Sequence, residues 1–231
     1  RHTRYGTVTG VQTCALPIFT TNNTIFGTQW QKIPHTSNVM VADMSSDIFS
    51  RQLNFNAFGL IYAGAQKNLG PAGVSLVIVN KQILGKIKRA IPAIMDYQNH
   101  IREGSMLNTP PVFAVYVCLL TLRWLKAQGG IPEMEKRNKE KATLLYNTID
   151  ENALFKTSVA KEDRSLMNVC FVLKDQELEI PFLAYAKQHG IIGIKGHRLS
   201  GGFRASLYNA LPLESVKHLV EVMNAFASLN P

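Results

Sequence analysis

The stretch Ile61-Tyr62-Ala63-Gly64-Ala65-Gln66-Lys67-Asn68-Leu69-Gly70-Pro71-Ala72-Gly73 sets a lysine inside an apolar, glycine-punctuated run, with an amide on either side. An ammonium in such a setting is costly unless it is paired or neutralised. Burial lowers a lysine pKa, and a neutral amine is a nucleophile toward carbonyls. Lys67 is therefore a candidate Schiff-base lysine, against the plainer reading of a solvated lysine at a strand end. Asp43 closes the apolar run Val39-Met40-Val41-Ala42 upstream of it. A pyridoxal phosphate site needs such a pair, an amine for the aldehyde and an acid for the pyridinium nitrogen.

Working outward, Val39 to Ala42, Leu60 to Ala63 and Val74 to Val79 read as buried strands of a largely parallel or mixed sheet. Helical patterning is expected from Lys81 onward, and residues 98–109 read as a loop rich in Asn, Gly, Ser and Thr. Thr109 can cap a helix that holds Pro110 and Pro111 in its first turn and stops at Gly129-Gly130. Phe113, Val117, Leu120 and Trp124 place apolar groups nearly all round that helix, so it is expected to be well buried. A second helix runs from about Pro132 to Asp150. Beyond it come a strand (Met167 to Leu173), a helix (Leu178 to His189), two strands (Ile191 to Ile194, Phe203 to Tyr208) and a helix (Pro212 to Leu229). The fold class is thus α/β, passing into a small α+β module, with a boundary near residue 130.

The composition is that of an ordinary globular chain: 231 residues, 46% hydrophobic and 18% charged. No apolar run reaches the length of a membrane span, and no secretory signal pattern is present. Cys14, Cys118 and Cys170 show neither CxxC nor metal-ligand spacing, so no metal site is expected, and unpaired thiols suit a reducing cytosol. The net charge of +9 could serve nucleic acid, but acids interleave with the bases, as in Lys136-Arg137-Asn138-Lys139-Glu140-Lys141. A basic nucleic-acid-binding domain is the non-enzymatic alternative, with steering of anionic substrates the other use of the charge.

Four separated motifs carry a resemblance. They are Tyr62 to Val79, Ala42-Asp43-Met44-Ser45-Ser46 with Ser50-Arg51, Gly104 to Pro111 (GSMLNTPP), and Lys195-Gly196-His197-Arg198 through Gly201 to Ala210. From about Thr20 onward the chain resembles the phosphoserine aminotransferase family, fold-type-I pyridoxal phosphate enzymes, and only their C-terminal part. Residues 5–18 look like translated sequencing-adapter sequence, and residues 1–18 are set aside as non-native. The resemblance implies a partial cofactor-binding large domain over residues 19–130 and a small C-terminal domain over 131–231.

The resemblance further implies pyridoxal 5'-phosphate bound through Lys67, with Asp43 at the ring nitrogen and Thr24 and Gln66 as further cofactor contacts. Asn108 and Thr109 match residues that reach the cofactor phosphate of the other subunit of a homodimer with shared active sites. His197, Arg198 and Arg204 match the substrate end, with Arg204 taking the α-carboxylate as a bidentate pair. The implied reaction is ping-pong transamination between O-phospho-L-serine and 2-oxoglutarate, giving glutamate, in cytoplasmic serine biosynthesis; family members can also serve pyridoxine synthesis. Another fold-type-I aminotransferase would share Lys67 and Asp43 and differ at residues 197, 198 and 204. The family's glycine-rich phosphate turn, ring-stacking aromatic residue and cross-subunit His-Arg pair have no counterpart here, so this chain by itself is expected to be inactive.

Overall fold

The apolar run that ends in Asp43 and the one that precedes Lys67 become neighbouring strands. The computed structural model describes residues 16–230. A four-stranded sheet takes the order β1-β4-β5-β6, from strands Ile18–Thr20, Val41–Asp43, Leu60–Gly64 and Ser75–Val79. Strands β1, β4 and β5 are parallel, while β6 returns antiparallel to β5. Alternation buries Ala42, Ile61 and Ala63 against Met44, Ile48 and Phe58, which form the first core. Asp43 and its register partner Tyr62 therefore share the opposite face.

Strands β2 (Asn22–Asn23) and β3 (Thr28–Gln29) form a small hairpin leaning on the C-terminal module. There Ser165 N donates to Gly27 O at 2.9 Å, and Asn22 Nδ2 to Asn168 Oδ1 at 2.9 Å. The module itself is an antiparallel sheet, β7 (Phe155–Lys156), β8 (Asn168–Leu173) and β9 (Phe203–Ser206). Its second core includes Phe155, Phe171, Phe182, Phe203 and Phe226. Phe182 meets Phe203 edge to face with centroids 5.0 Å apart, a favourable quadrupole arrangement.

The helices are α1 (Tyr97–Arg102), α2 (Val112–Ala127), α3 (Gly130–Glu151), α4 (Glu179–Gln188) and α5 (Leu213–Leu229). The expected helices over 132–150, 178–189 and 212–229 stand as α3, α4 and α5. None of the described helices is long and apolar enough to cross a membrane.

Several expectations are corrected. From Lys81 to Asp96 there are only two single 3-10 turns, Lys81–Ile83 and Ala93–Met95, separated by Gly85 and Pro92. Residues 98–109 are not all loop, because α1 occupies the first of them, capped by Asp96, whose carboxylate accepts from Gln98 N. Thr109 does not cap α2. The helix starts after Pro111, which occupies the capping position and has no side-chain oxygen, so α2 has no side-chain cap. No strand forms over 191–194; Gly190 and Gly193 take positive φ, and a lone Lys195–Phe203 bridge remains.

The largest correction concerns α2. It buries only Ala114 and Leu125, with Cys118 half-buried over the first core, while Val112 and Phe113 are 71% and 75% exposed. Tyr116, Leu119, Leu120, Leu122 and Trp124 are exposed as well. Apolar residues lie all round it, but the described residues cover one side only.

Candidate active site

Lys67 stands on the turn that reverses the chain from β5 to β6. Ala65 closes that turn, its N donating to Val74 O at 2.9 Å and its carbonyl accepting from the N–H groups of Lys67, Leu69 and Gly70. Gly70 is needed where α2 crosses, since a Cβ there would lie 2.9 Å from Cys118 Sγ. The turn follows β5 directly, and Asp43 ends the neighbouring parallel strand β4. Both groups therefore lie at the C-terminal end of neighbouring parallel strands.

The Lys67 side chain is half-buried, and its Nζ donates to Thr24 Oγ1 at 2.9 Å. Thr24 is presented by the β2–β3 turn, where Asn23 Oδ1 accepts from Ile25 N and Phe26 N. Burial holds the Lys67 ammonium below the usual lysine range. The Asp43 carboxylate opposes this, the Arg204 guanidinium adds to it, and Asp47 opposes it weakly. Asp43 is itself oriented by Ser45, whose N donates to Asp43 Oδ1 at 2.8 Å. Burial raises the Tyr62 phenol, and the hydrogen-bonded Asp43 carboxylate raises it further.

Arg204 lies on β9 opposite Cys170 and is half-buried, and its buried Nε has no hydrogen-bond partner. An orphaned guanidinium N–H whose charge acts on Lys67 suits a carboxylate acceptor. Burial pushes the Cys170 thiol up to about 11, opposed by Arg204. His197 and Arg198 sit on the turn before β9, where the His197 carbonyl accepts from Ser200 N and Gly201 N. That turn requires glycine: a Cβ on Gly196 would lie 2.0 Å from the Gly201 carbonyl oxygen.

The structure thus gathers Thr24, Asp43, Lys67 and Arg204. Gln66 is exposed, its amide over Gly64. Asn108 and Thr109 are exposed ahead of α2, and Asn108 Nδ2 donates to Thr109 O at 3.3 Å. Among the described residues no hydrogen bond joins them to Lys67, Asp43 or Arg204. Arg198 is exposed and His197 half-buried. Among the described residues no group of three or more His, Cys, Asp and Glu side chains could hold a metal ion.

Sequence reasoning missed Tyr62, whose position beside Asp43 depends on strand register. It also missed Asp47, fully buried and held by Thr21, Gln29 and Arg51. The four-residue spacing to Arg51 was the available signal for that pair. Of the segment set aside, residues 1–15 lie outside the described residues. Leu16 and Ile18 are exposed, and Pro17 O accepts from Val41 N at 2.9 Å.

The amine, acid and guanidinium suit the aldehyde and ring nitrogen of pyridoxal phosphate and a carboxylate ligand. Comparison with known proteins addresses the chain as a whole. The family model described as aminotransferase class-V matches residues 11–219. The chain is 58% identical over 213 residues to phosphoserine aminotransferase of Azobacteroides pseudotrichonymphae, covering 91% of this chain and 59% of the relative. It is 59% identical over 209 residues to that of Flavobacterium johnsoniae, covering 90% and 59%. A solved phosphoserine aminotransferase from Bacillus circulans subsp. alkalophilus superposes with a TM-score of 0.90 at 40% identity, over 94% of this chain and 60% of that one. A pyridoxal phosphate-bound phosphoserine aminotransferase from Trichomonas vaginalis gives 0.84 at 38% identity, over 90% and 59%. The chain spans about 59% of the length of the curated relatives it matches.

Proposed function

The chain belongs to the aminotransferase class-V family, and from that premise we propose that it carries the lysine half of a phosphoserine:2-oxoglutarate aminotransferase site. The observation that supports this most directly is the half-buried Lys67 amine, held by Thr24, within the fields of Asp43 and Arg204. Pyridoxal phosphate, when bound, supplies an electron sink for charge developing at the substrate α-carbon. Lys67 would hold it through its amine and would move the proton at the substrate α-carbon. Burial lowers the pKa of that amine, the direction both tasks require. Asp43, kept in place by Ser45 and Tyr62, holds a proton on the ring nitrogen. Thr24 and Gln66 are further cofactor contacts.

Arg204 takes the α-carboxylate common to phosphoserine and glutamate, which fills its orphaned Nε. His197 and Arg198 take the phosphate or the distal carboxylate. Asn108 and Thr109, exposed in this chain, serve the cofactor phosphate of a second subunit, so the working form is a homodimer with shared sites. The cytoplasm is its compartment, and the large and small domains divide near residue 130, where α2 gives way to α3.

The test uses two proteins, the 231-residue chain and one extended N-terminally to the length of its relatives. Each is mixed with pyridoxal phosphate; one portion is reduced with borohydride and peptide-mapped, and a separate unreduced portion is assayed with 2-oxoglutarate and either phosphoserine or alanine as amino donor. The cofactor mass should fix on Lys67. The extended protein should turn over phosphoserine and discriminate against alanine, while the shorter chain shows no turnover. A preference for alanine, or labelling spread over surface lysines, would remove the assignment.

A further inference from the structure

Lys67 and Arg204 come from different modules, so the reaction proposed above requires something to hold them in register. Three buried asparagines lie between them. Asn68, the residue after Lys67, accepts at Oδ1 from Asn209 N at 3.0 Å. Its Nδ2 donates to Ile48 O at 3.2 Å and Ser46 O at 3.4 Å. Asn209 Nδ2 donates to Phe49 O at 3.1 Å. Asn138, fully buried on α3, donates through Nδ2 to Asn209 Oδ1 at 2.9 Å and to Ser50 O at 3.0 Å. Phe49 stands at φ +55°, a conformation L-residues seldom keep unless the surroundings impose it. Its carbonyl is one that the network holds.

We propose that Asn68, Asn138 and Asn209 form a positioning latch that fixes the Lys67 turn against the strand carrying Arg204. The proposal rests on the aminotransferase reading of those two residues. Asn209 follows Arg204 by one short run of chain, whose Leu207 and Tyr208 carbonyls are anchored separately by Lys141. A shift of the Asn68–Asn209 contact therefore moves the guanidinium relative to the amine. The chemistry needs the two held to well under an ångström, since about 1 Å of misplacement costs on the order of a hundredfold. Buried amides with directional bonds define one such arrangement, where apolar contacts would allow several.

The test uses the cofactor-loaded protein extended to its relatives' length, with Asn68→Ala, Asn209→Ala, the double variant, and Asn152→Ala as control. Asn152 makes an amide pair with Asn224 on the outside of the small module. Hydroxylamine capture of the lysine-bound cofactor reports on Lys67 alone, and KM for phosphoserine and glutamate reports on Arg204 relative to it. Each latch variant should raise both KM values about tenfold, the double variant no further, with the capture rate kept within about twofold. The control should lose stability and keep KM. Unchanged KM in the latch variants would overturn the latch, as would KM, capture rate and thermal midpoint drifting together. A parent without phosphoserine activity would sink the substrate reading instead. The latch is then judged in the 231-residue chain by amide hydrogen exchange. Asn209→Ala should speed exchange at residues 67–70 as well as 204–207, and acceleration confined to the neighbourhood of residue 209 would overturn it.

Discussion

Lys141→Met should unfold the junction behind the site at a calculable cost. Lys141 is 2% exposed on α3, and its three ammonium donors meet three carbonyls, Leu207 and Tyr208 at 3.0 Å each and Leu211 at 3.1 Å. Methionine matches the length of the stem and supplies no donor. Three carbonyls lose charge-assisted bonds worth roughly 1.5–3 kcal/mol each, offset in large part by no longer burying a charge, for a net loss of about 3 kcal/mol. With a urea slope of about 3 kcal/mol/M, the midpoint falls by about 1 M. Burial pushes the Lys141 ammonium down to about 8, from an ordinary 10.5. Across that interval the unfolded chain keeps the proton and the folded chain releases it. The unfolded state binds more protons there, so parental stability rises with pH relative to the variant. Urea titrations of both proteins at pH 7, 8 and 9.5 measure this. A variant within about 1 kcal/mol of the parent at pH 7, or a gap that narrows as pH rises, would refute the reasoning.

Other consequences can be checked with single substitutions. Lys67→Ala in the extended protein should abolish transamination and the borohydride-fixed cofactor mass. Asp43→Asn should lower the pH needed for acylation of Lys67, because the opposing carboxylate is lost, and Arg204→Gln should raise it; mass-spectrometric labelling against pH reads both. Arg204→Lys should raise KM for both carboxylate donors about ten- to hundredfold, since an ammonium cannot form the two-pronged pair. Arg51→Met leaves the buried Asp47 without its guanidinium and should cost about 3–5 kcal/mol at pH 7. Burial already raises the Asp47 pKa and Arg51 opposes that rise, so the variant gap should narrow as pH falls and Asp47 is neutralised.

The strand ends carrying Asp43 and Lys67 were legible in the sequence because each follows a short apolar run of the length of a buried strand. Helices α3 and α5 were legible from one-sided apolar spacing and plain stop signals. Strands β1, β2, β3 and β7 were not, since two or three residues carry no period. The antiparallel return of β6 was not legible either, because apolar runs look alike in both directions. Helix α2 misled for a different reason. Its all-round apolar pattern states that every side can be covered, and sequence periodicity does not say by which residues. The asparagines at 68, 138 and 209 are ordinary amides one by one, and only tertiary proximity makes them a network.

The exposed side of α2 has a consequence for the life of the protein in a cell. Phe113, Tyr116, Leu120 and Trp124 face outward on a helix whose inner side is anchored through Ala114, Leu125 and Cys118. Holdase chaperones and quality-control proteases recognise surfaces of this kind, and a folded chain that displays one stays within their reach. Its abundance would then follow the supply of whatever surface covers α2, more than the free energy stored in its own two cores. Expression level and half-life, measured with Phe113 and Tyr116 changed to serine, would separate turnover set by this helix from turnover set by unfolding.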